Sequence, residues 1–287
     1  MKLLKQVDEI IELARREDRA DLTSRLLFDP GDRIKAVIVA REAGTICGAE
    51  FAAMTFRKYD PSCRIRIFKK DGARVRKGDD VMRIEGRAVA LLTAERKAVN
   101  FLQHLSGVAT LTSGFVRAVR GTKSKIYDTR KTIPGIRLLQ KYAVLCGGGR
   151  NHRMDLSEMA MVKDNHLKVV GGEWWVVSLK SRLPKGTLLE IEAKTMKEVL
   201  LAFKAGADIV MLDNMSLSRL KKMVRFIRHH PLPTTHHPPL IEVSGGVTLK
   251  DVRKIADLGV ERISVGALTH SAPALNLSMD AERAGHG

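Results

Sequence analysis

The most clearly chemical stretch of this 287-residue chain is cationic. Residues 117–154 contain ten Lys and Arg residues and one acid, Asp128. Arg130 and Arg153 carry planar guanidinium groups that suit a carboxylate or a phosphate, and Lys131 adds a point charge. Cations held close together repel one another unless an anion neutralises them. The stretch therefore predicts a pocket for a small, multiply charged anion.

Other polar residues accompany these cations. Thr129 and His152 are each adjacent to one of the two arginines, and Lys163 follows the next apolar run. His152 is able to hydrogen-bond or to titrate near neutral pH. Gly147-Gly148-Gly149 allow unusual backbone angles and close approach of a ligand, and a flexible surface loop is the alternative interpretation. They match neither the GxGxxG nor the GxxxxGK[ST] nucleotide motif.

Two carboxylates, Glu192 and Asp213, end successive apolar runs. Together with a phosphorylated ligand they are suited to hold Mg²⁺, which takes one or two carboxylates plus phosphate oxygens. Paired general acid and base work and simple ion pairing with the nearby cations are the alternatives. Glu190 lies two residues before Glu192, so it shares a strand face with it and is an equal candidate as the metal ligand.

Glycine-containing loops follow the last two apolar runs. They are Ser244-Gly245-Gly246 and Gly266-Ala267. Loops of this kind after the late strands of an α/β barrel often present backbone N–H groups to a phosphate.

The elements that carry these residues are short apolar runs separated by helical stretches. Their order, without hairpin signals, predicts a parallel sheet. Six strands in about 160 residues fall short of a complete eight-unit barrel, which needs about 250, so we expect an α/β fold with an incomplete barrel. Nearly every strand ends in a polar or glycine residue, where barrels carry their active sites. The predicted strands are 125–128, 159–163, 188–192, 208–213, 240–244 and 262–266.

The first hundred residues have a different pattern of predicted helices and strands. An amphipathic helix over 3–16 precedes strands at 34–41, 64–68 and 81–84, and a long helical pattern runs over 88–119 with an expected break at Gly107. This predicts an N-terminal α+β sandwich domain over 1–108, with the tail from about 270 to 287 as a candidate to pack on it. The partial α/β-barrel catalytic domain is predicted over 109–269.

Composition limits the alternatives. The chain has 50 Lys and Arg against 32 Asp and Glu, a net charge of +18, so a nucleic-acid binder is one hypothesis. Aromatic residues are only 5%, and no RNA-recognition or zinc-finger pattern is present. No apolar stretch is long enough to cross a membrane. Three widely spaced cysteines exclude a disulfide framework and a CxxC metal site and indicate the cytoplasm; Cys146 is expected to be structural.

Several motifs together resemble the quinolinate phosphoribosyltransferase family (nicotinate-nucleotide pyrophosphorylase, carboxylating). The similarity runs in collinear order from about residue 17 to 275, and six motifs in the right order are far more specific than any one. A further match is Glu95-Arg96 with Asn100 and the residues up to Gly107. The motifs are DTRKTIPGIRLLQKYAV, CGGGRNHR, MVKDNH, IVMLDNM, SGGVTL and ISVGALTHS.

The resemblance implies a pentosyltransferase of NAD biosynthesis. It implies that quinolinate and phosphoribosyl pyrophosphate give nicotinate mononucleotide, pyrophosphate and CO2, with Mg²⁺ and no tightly bound organic cofactor. It also implies an N-terminal sandwich, a C-terminal partial barrel and a homodimer with shared active sites, to which Arg96 is contributed by the neighbouring subunit. Nucleic acid and membrane are not expected as partners.

The same resemblance implies functions for individual residues. Lys131, Lys163, Glu192 and Asp213 are expected to be catalytic, and Glu192 and Asp213 to contact the phosphoribosyl group and the metal. The substrate-binding set implied by the family motifs is Arg96, Thr129, Arg130, Lys131, His152, Arg153, Lys163, Glu192, Asp213, Ser244, Gly245, Gly246, Val265, Gly266 and Ala267.

The chain also departs from the family pattern. Lys194 stands where an acid is expected, a change that bears on metal affinity, and Arg19-Ala20 replace an apolar–glycine pair. Residues 228–239 form a His- and Pro-rich insertion, expected to be a solvated loop rather than a metal site. A related phosphoribosyltransferase or pyrophosphorylase acting on another acid or nucleobase is the alternative, although Asp213-Asn214 fits the quinolinate enzymes better.

Overall fold

The computed structural model describes residues 2–18, 20–169, 173–230 and 238–283. Its helices are α1 (Lys2–Arg15), α2 (Leu22–Leu27), α3 (Ala49–Tyr59), α4 (Ala88–Ala118), α5 (Arg137–Cys146), α6 (Asp164–Val169), α7 (Glu173–Val177), α8 (Leu179–Arg182), α9 (Met196–Lys204), α10 (Leu217–His229), α11 (Val252–Ala256) and α12 (Ala267–His270). Its strands are β1 (Arg33–Ala40), β2 (Gly44–Thr45), β3 (Arg64–Ile67), β4 (Arg74–Val75), β5 (Asp80–Arg87), β6 (Lys125–Tyr127), β7 (Met159–Val162), β8 (Leu188–Ala193), β9 (Ile209–Asp213), β10 (Leu240–Ser244), β11 (Arg262–Ser264) and β12 (Leu277–Arg283).

The chain folds into two compact units. The first contains the described residues of Met1–Ser113, Ile133–Gly148 and Ser271–Gly287, and the second contains those of Gly114–Thr132 and Gly149–His270. The predicted boundary at residue 108 thus lies close to the observed one. However, residues 133–148, predicted within the barrel domain, group with the first unit, because the apolar face of α5 is buried there and Tyr142 packs against Phe51 of α3, with ring centroids 5.7 Å apart.

The first unit is built on an antiparallel sheet with the strand order β12-β1-β5-β3. The C-terminal tail is an edge strand of this sheet, because Leu277 pairs with Ala40 and the ladder continues along β1. One face of the sheet packs against α3 and α4, where Phe56, Leu91 and Leu102 join Ile38 and Met82 in a buried core. Burial of these side chains is the main contribution to the stability of the unit.

The predicted break at Gly107 is wrong. Helix α4 is continuous from Ala88 to Ala118. A Cβ atom at position 107 would lie only 2.1 Å from the carbonyl oxygen of Pro273, so glycine is required for the close approach of the C-terminal segment. The sequence signal was real, but its cause is a distant neighbour rather than the end of a helix.

The second unit is an α/β fold with six parallel strands in the order β6-β11-β10-β9-β8-β7. Each of the predicted strands is present to within two residues at either end. β6 and β7, the first two strands of this unit in chain order, lie at opposite edges of the described sheet, as expected for a barrel that is not closed. Strand β9 is buried up to Leu212, which is typical of parallel strands covered on both faces.

The register of these strands brings their carboxyl ends to one level. Ser244 lies beside Asp213, and Ser264 lies beside Tyr127. Loops after the strands therefore meet at one rim of the sheet. In the part of the chain that the structure describes, no helix is long and apolar enough to cross a membrane. The predicted loop at 228–239 falls largely outside the described residues, as does Arg19; α10 extends to His229 and β10 begins at Leu240.

Candidate active site

A cavity of about 420 Å³ opens at the carboxyl ends of the parallel strands. This volume lies in the range of small-molecule sites. Every predicted substrate-binding residue except Arg96 lines it, and all of them belong to the second unit. These residues are Thr129, Arg130, Lys131, His152, Arg153, Lys163, Glu192, Asp213, Ser244, Gly245, Gly246, Val265, Gly266 and Ala267.

The two arginines of the cavity lie close enough for their charges to interact, and the more distant charges of Glu190 and Asp155 oppose this on Arg153. Arg153 donates from Nη1 to the carbonyl oxygen of Met159 at 2.9 Å and from Nη2 to Sδ of Met161 at 3.5 Å. Burial and the neighbouring charge of Arg130 lower the pKa of Arg153. The Nε atom of Arg130 is buried with no hydrogen-bond partner. Among the described residues neither guanidinium forms an ion pair, so the pair is prepared for an anionic ligand.

His152 is held in a fixed orientation at the side of this cavity. Its backbone N–H donates to Oδ1 of Asp128 at 2.8 Å, and its Nδ1 accepts from the backbone N–H of Arg153 at 2.8 Å. Burial opposes a charge on the ring, but Glu190 and Glu242, whose oxygens lie 3.2 and 3.3 Å from Nε2, raise the pKa of His152. Because Nδ1 accepts a hydrogen bond, the neutral ring carries its proton on Nε2, on the side of these two carboxylates.

A buried ionic cluster lies behind His152. Glu242 accepts hydrogen bonds from Nε of Arg262 and from Oγ of Ser264, and the guanidinium of Arg262 stacks 4.0 Å from the ring centroid of Tyr127. Burial opposes ionisation of Glu242, yet His152, Arg262 and Ser264 lower its pKa, whereas burial and the charge of Glu242 raise the pKa of Glu190.

Because of this cluster, the two glutamates of β8 have different surroundings. Glu190 is completely buried against His152, whereas Glu192 lines the cavity. Of the two candidates for a metal ligand, Glu192 is therefore the one that faces a ligand. Glu242, Arg262 and Ser264 were not among the residues predicted from the sequence. One signal existed: Glu190 and Glu242 are lone acids within the apolar runs LLEIE and LIEVS.

The acidic side of the cavity consists of Glu192 and Asp213. Burial and the nearby charge of Asp213 raise the pKa of Glu192. Unlike the arginines, these carboxylates already have a counter-ion, because Nζ of Lys194 lies 3.4 Å from Oε1 of Glu192 and 3.9 Å from Oδ2 of Asp213. The same Nζ lies 3.0 Å from Oδ2 of Asp164. Two adjacent carboxylates are a suitable donor set for Mg²⁺, provided that the ion displaces Lys194 from them.

Tight packing of the glycine loops forms the third side. Gly245 has φ +86°, and a Cβ atom there would lie 2.7 Å from the backbone nitrogen of Asn214. Asn214 itself has φ +52° and donates its N–H to the carbonyl oxygen of Ser244 at 2.9 Å. A Cβ at Gly266 would lie 3.2 Å from Nε2 of His270, a cavity residue that the sequence analysis did not identify. These loops keep backbone groups close to the cavity, where an anion is able to approach them.

Arg96 and the glycines before Arg150 are not part of the cavity lining. Arg96 is exposed on α4 in the first unit. Gly147 caps the end of α5, and a Cβ there would lie 2.5 Å from the carbonyl oxygen of Ala109, while Gly148 has φ +84°. The glycines thus allow a tight turn against α4 rather than contact with a ligand at this cavity.

The fold and the cavity are those of an α/β enzyme with a cavity lined by several cations at the carboxyl ends of its strands. The sequence model of the family described as "Quinolinate phosphoribosyl transferase, N-terminal domain" matches residues 21–106, and that of "Quinolinate phosphoribosyl transferase, C-terminal domain" matches residues 108–280. The chain belongs to the quinolinate phosphoribosyl transferase family.

Individual relatives agree with this assignment. The "Nicotinate-nucleotide pyrophosphorylase [carboxylating], chloroplastic" of Oryza sativa subsp. japonica is 39% identical, over 94% of this chain and 76% of that protein. The corresponding protein of Mycobacterium leprae is 36% identical, over 91% of this chain and 90% of its own. Among solved structures, NadC from Streptococcus pyogenes superimposes with a TM-score of 0.89 at 36% identity, covering 98% of each chain. The nicotinate-nucleotide pyrophosphorylase of Francisella tularensis has the same TM-score and identity, covering 97% of this chain and 96% of that one.

Proposed function

We propose that this enzyme transfers the phosphoribosyl group of phosphoribosyl pyrophosphate to quinolinate, with release of pyrophosphate and CO2, to give nicotinate mononucleotide. The observation that carries the proposal is the pair of arginines, Arg130 and Arg153, that share a cavity and form no ion pair with any described residue. Quinolinate bears two adjacent carboxylates, and removing them from water requires several cations. The activity that the relatives' names state supports the same reaction.

Each side of the cavity suits one part of the reaction. Arg130, Arg153 and Lys163 bind the carboxylates of quinolinate, and His152, whose Nδ1 accepts from the backbone N–H of Arg153, lines the same cavity. The glycine loops at Ser244–Gly246 and Val265–Ala267 receive the phosphate of the ribose through backbone N–H groups. Holding the two substrates in line converts an encounter in solution into a reaction within one complex.

The chemistry needs no covalent nucleophile from the protein. Departure of pyrophosphate leaves positive charge on the ribose, which the carboxylates of Glu192 and Asp213 stabilise, while Lys131 and Lys163 stabilise the leaving anion. Attack by the pyridine nitrogen makes the ring cationic. That positive nitrogen then stabilises the electron pair left on the adjacent ring carbon when its carboxylate departs as CO2, and this carbon takes up a proton from water to give the product.

Magnesium is part of this proposal. Glu192 and Asp213 are the residues that would hold it, since they present hard oxygen ligands on one side of the cavity. The ion supplies positive charge that stabilises pyrophosphate as a leaving group. Lys194 lies beside both carboxylates, so in this chain the lysine and the metal compete for the same negative charge.

A second subunit completes the proposed site. We propose a homodimer in which Arg96 of each protomer, exposed on α4, enters the cavity of the other protomer and adds a cation to the quinolinate pocket. We also propose a cytoplasmic enzyme, on the ground of its three free cysteines.

The test is an assay of the purified protein with quinolinate, phosphoribosyl pyrophosphate and Mg²⁺. We expect pyrophosphate and CO2 in equal amounts, both dependent on quinolinate. Nicotinate in place of quinolinate serves as the matched control, since it lacks the carboxylate that departs. Turnover of another acid without CO2 would contradict the proposal in favour of a related phosphoribosyltransferase, and duplex binding with steep salt dependence and no turnover would favour a nucleic-acid binder.

A further inference from the structure

A second cluster of ligand-type side chains lies in the first unit and plays no part in the proposed reaction. Cys47 precedes α3, Asp71 lies in the turn between β3 and β4, and Cys146 is the last residue of α5. Their sulfur and carboxylate oxygen atoms all lie within 4.8 Å of one another. No spacing in the sequence indicates this cluster, because its members come from three separate segments.

Hydrogen bonds hold the cluster in place. Oδ1 of Asp71 accepts from the backbone N–H of Ala49, and Oδ2 accepts from the hydroxyl of Tyr142, each at 2.9 Å. The backbone N–H of Cys47 donates to Oγ of Ser106 at 2.9 Å. Partners of this kind, which orient a carboxylate from behind, are typical of the surroundings of metal ligands.

The cluster also lacks a cation. Asp71 is half-buried beside two thiols and a phenol, and it forms no ion pair with any described residue, in a chain with a net charge of +18. The other buried cluster, His152 with Glu190 and Glu242, differs in this respect, because Arg262 supplies its positive charge. A carboxylate and two potential thiolates without a positive partner are suited to a cation from solution.

We propose that Cys47, Asp71 and Cys146 bind a thiophilic divalent cation of the Zn²⁺ type. Tetrahedral zinc with sulfur and oxygen ligands places those ligands about 3 to 4 Å apart, so only a small contraction of the cluster is required. Two sulfurs and one oxygen favour zinc over magnesium, which prefers oxygen alone, and this separates the site chemically from Glu192 and Asp213. A water molecule or another small ligand completes the fourth position.

Such a site has a structural consequence. It joins the end of α5 to the start of α3, within the first unit. Cys146 is also followed by the tight glycine turn that leads to His152 and Arg153, so the metal fixes the chain seven residues before Arg153. The expected role is therefore structural, and it does not depend on the reaction that the cavity carries out.

Cobalt provides the test, because a thiolate ligand gives Co²⁺ a sulfur-to-metal charge-transfer absorption in the near ultraviolet. The reduced, metal-free full-length protein is titrated with Co²⁺ in the absence of magnesium. We expect one equivalent to produce this absorption, together with the visible bands of a four-coordinate ion, and Zn²⁺ to abolish both. Zinc should also raise the Tm. Oxygen ligands at Glu192 and Asp213 give no sulfur band, so their occupancy does not interfere.

Three variants and one control locate the ligands. Cys47→Ser and Cys146→Ser should each lose the cobalt band, and Asp71→Asn should bind about tenfold more weakly. Cys63→Ser, which changes the third cysteine of the same unit, should bind cobalt like the unmodified protein. Circular dichroism identifies any variant that fails to fold.

The wild-type protein alone is sufficient to overturn the proposal. Absence of the sulfur band in protein that titrates three free thiols would do so, as would a band that is lost in Cys63→Ser but retained in folded Cys146→Ser. Protein that titrates one thiol before reduction and three afterwards, with no cobalt band in the reduced form, would identify a disulfide pair in place of a metal site.

Discussion

Arg130 and Arg153 line the same cavity as Glu192 and Asp213, and each pair places two like charges side by side. Burial and the neighbouring like charge lower the pKa of Arg153 in one pair and raise that of Glu192 in the other. The difference lies in what neutralises them. The arginines have no ion pair among the described residues, whereas Lys194 contacts both carboxylates.

The two sides of the cavity therefore differ in how far their charges are already neutralised by protein side chains. The arginines form no ion pair with a described residue, so the carboxylates of the proposed substrate would relieve the repulsion between them. Lys194 already contacts Glu192 and Asp213, so the proposed metal ion would have to displace an existing contact. Substrate binding should therefore be sensitive to the arginines, and metal dependence to Lys194.

The largest effect is expected at the arginine pair. Arg130→Ala or Arg153→Ala should lower kcat/KM for quinolinate by about 100-fold or more, because each removes a forked, charge-assisted contact from a partly buried site. Steady-state kinetics measures the loss, and circular dichroism should show an intact fold. Arg150→Ala is the matched control, since Arg150 belongs to the same basic stretch but does not line the cavity. Normal turnover by either cavity variant would refute the role of the pair.

The next prediction concerns whether the cationic side of the cavity needs a residue from a second protomer. Arg96→Ala and Lys163→Ala should each be inactive, because each removes a cation from the proposed site. After equal mixing and subunit exchange, activity should return to about one quarter of the wild-type level. Half of the dimers are then mixed, and one of the two sites in each has neither substitution. No recovery despite exchange proven by native mass spectrometry would contradict a shared site.

Much of this arrangement was predictable, for a physical reason. Parallel strands buried on both faces are continuous apolar runs, so polar residues that end them, such as Glu192 and Asp213, stand out in the sequence. Their convergence follows from the rule that the carboxyl ends of barrel strands form one rim. The predicted roles of these residues remain predictions, but the structure brings their side chains to one cavity.

The features that sequence reasoning missed depend on contacts between distant segments. Gly107 resembles a helix break until Pro273 is seen against it. The assignment of 133–148 to the first unit depends on what buries the apolar face of α5, which periodicity does not reveal. The pairing of Glu242 with Arg262 joins residues on neighbouring strands, and only the register shows which charges meet.

The acidic half gives a smaller and chain-specific prediction. Lys194→Met should lower the Mg²⁺ concentration for half-maximal activity by about fivefold, because the carboxylates lose a competing charge that is worth up to about 1 kcal/mol at a partly exposed site. Activity is measured across a magnesium titration at saturating substrates. Lys197→Met serves as the control, because Lys197 pairs with Glu173 and does not line the cavity. An unchanged or higher magnesium requirement would show that Lys194 does not compete with the metal.

The smallest effect should be an increase in the magnesium concentration for half-maximal activity, opposite to the decrease expected for Lys194→Met. Asp164 also holds Lys194, at 3.0 Å, and is itself partly exposed. Asp164→Asn removes this competing acceptor, so Lys194 should pair more fully with Glu192 and Asp213. The half-maximal magnesium concentration should then rise by about twofold, the size expected for one exposed ion pair. In the double variant with Lys194→Met, the Asp164→Asn change should have no further effect on the magnesium titration. If the two substitutions acted additively, Asp164 would influence the metal by a route other than Lys194, and the competition between lysine and metal would not explain the acidic half of the cavity.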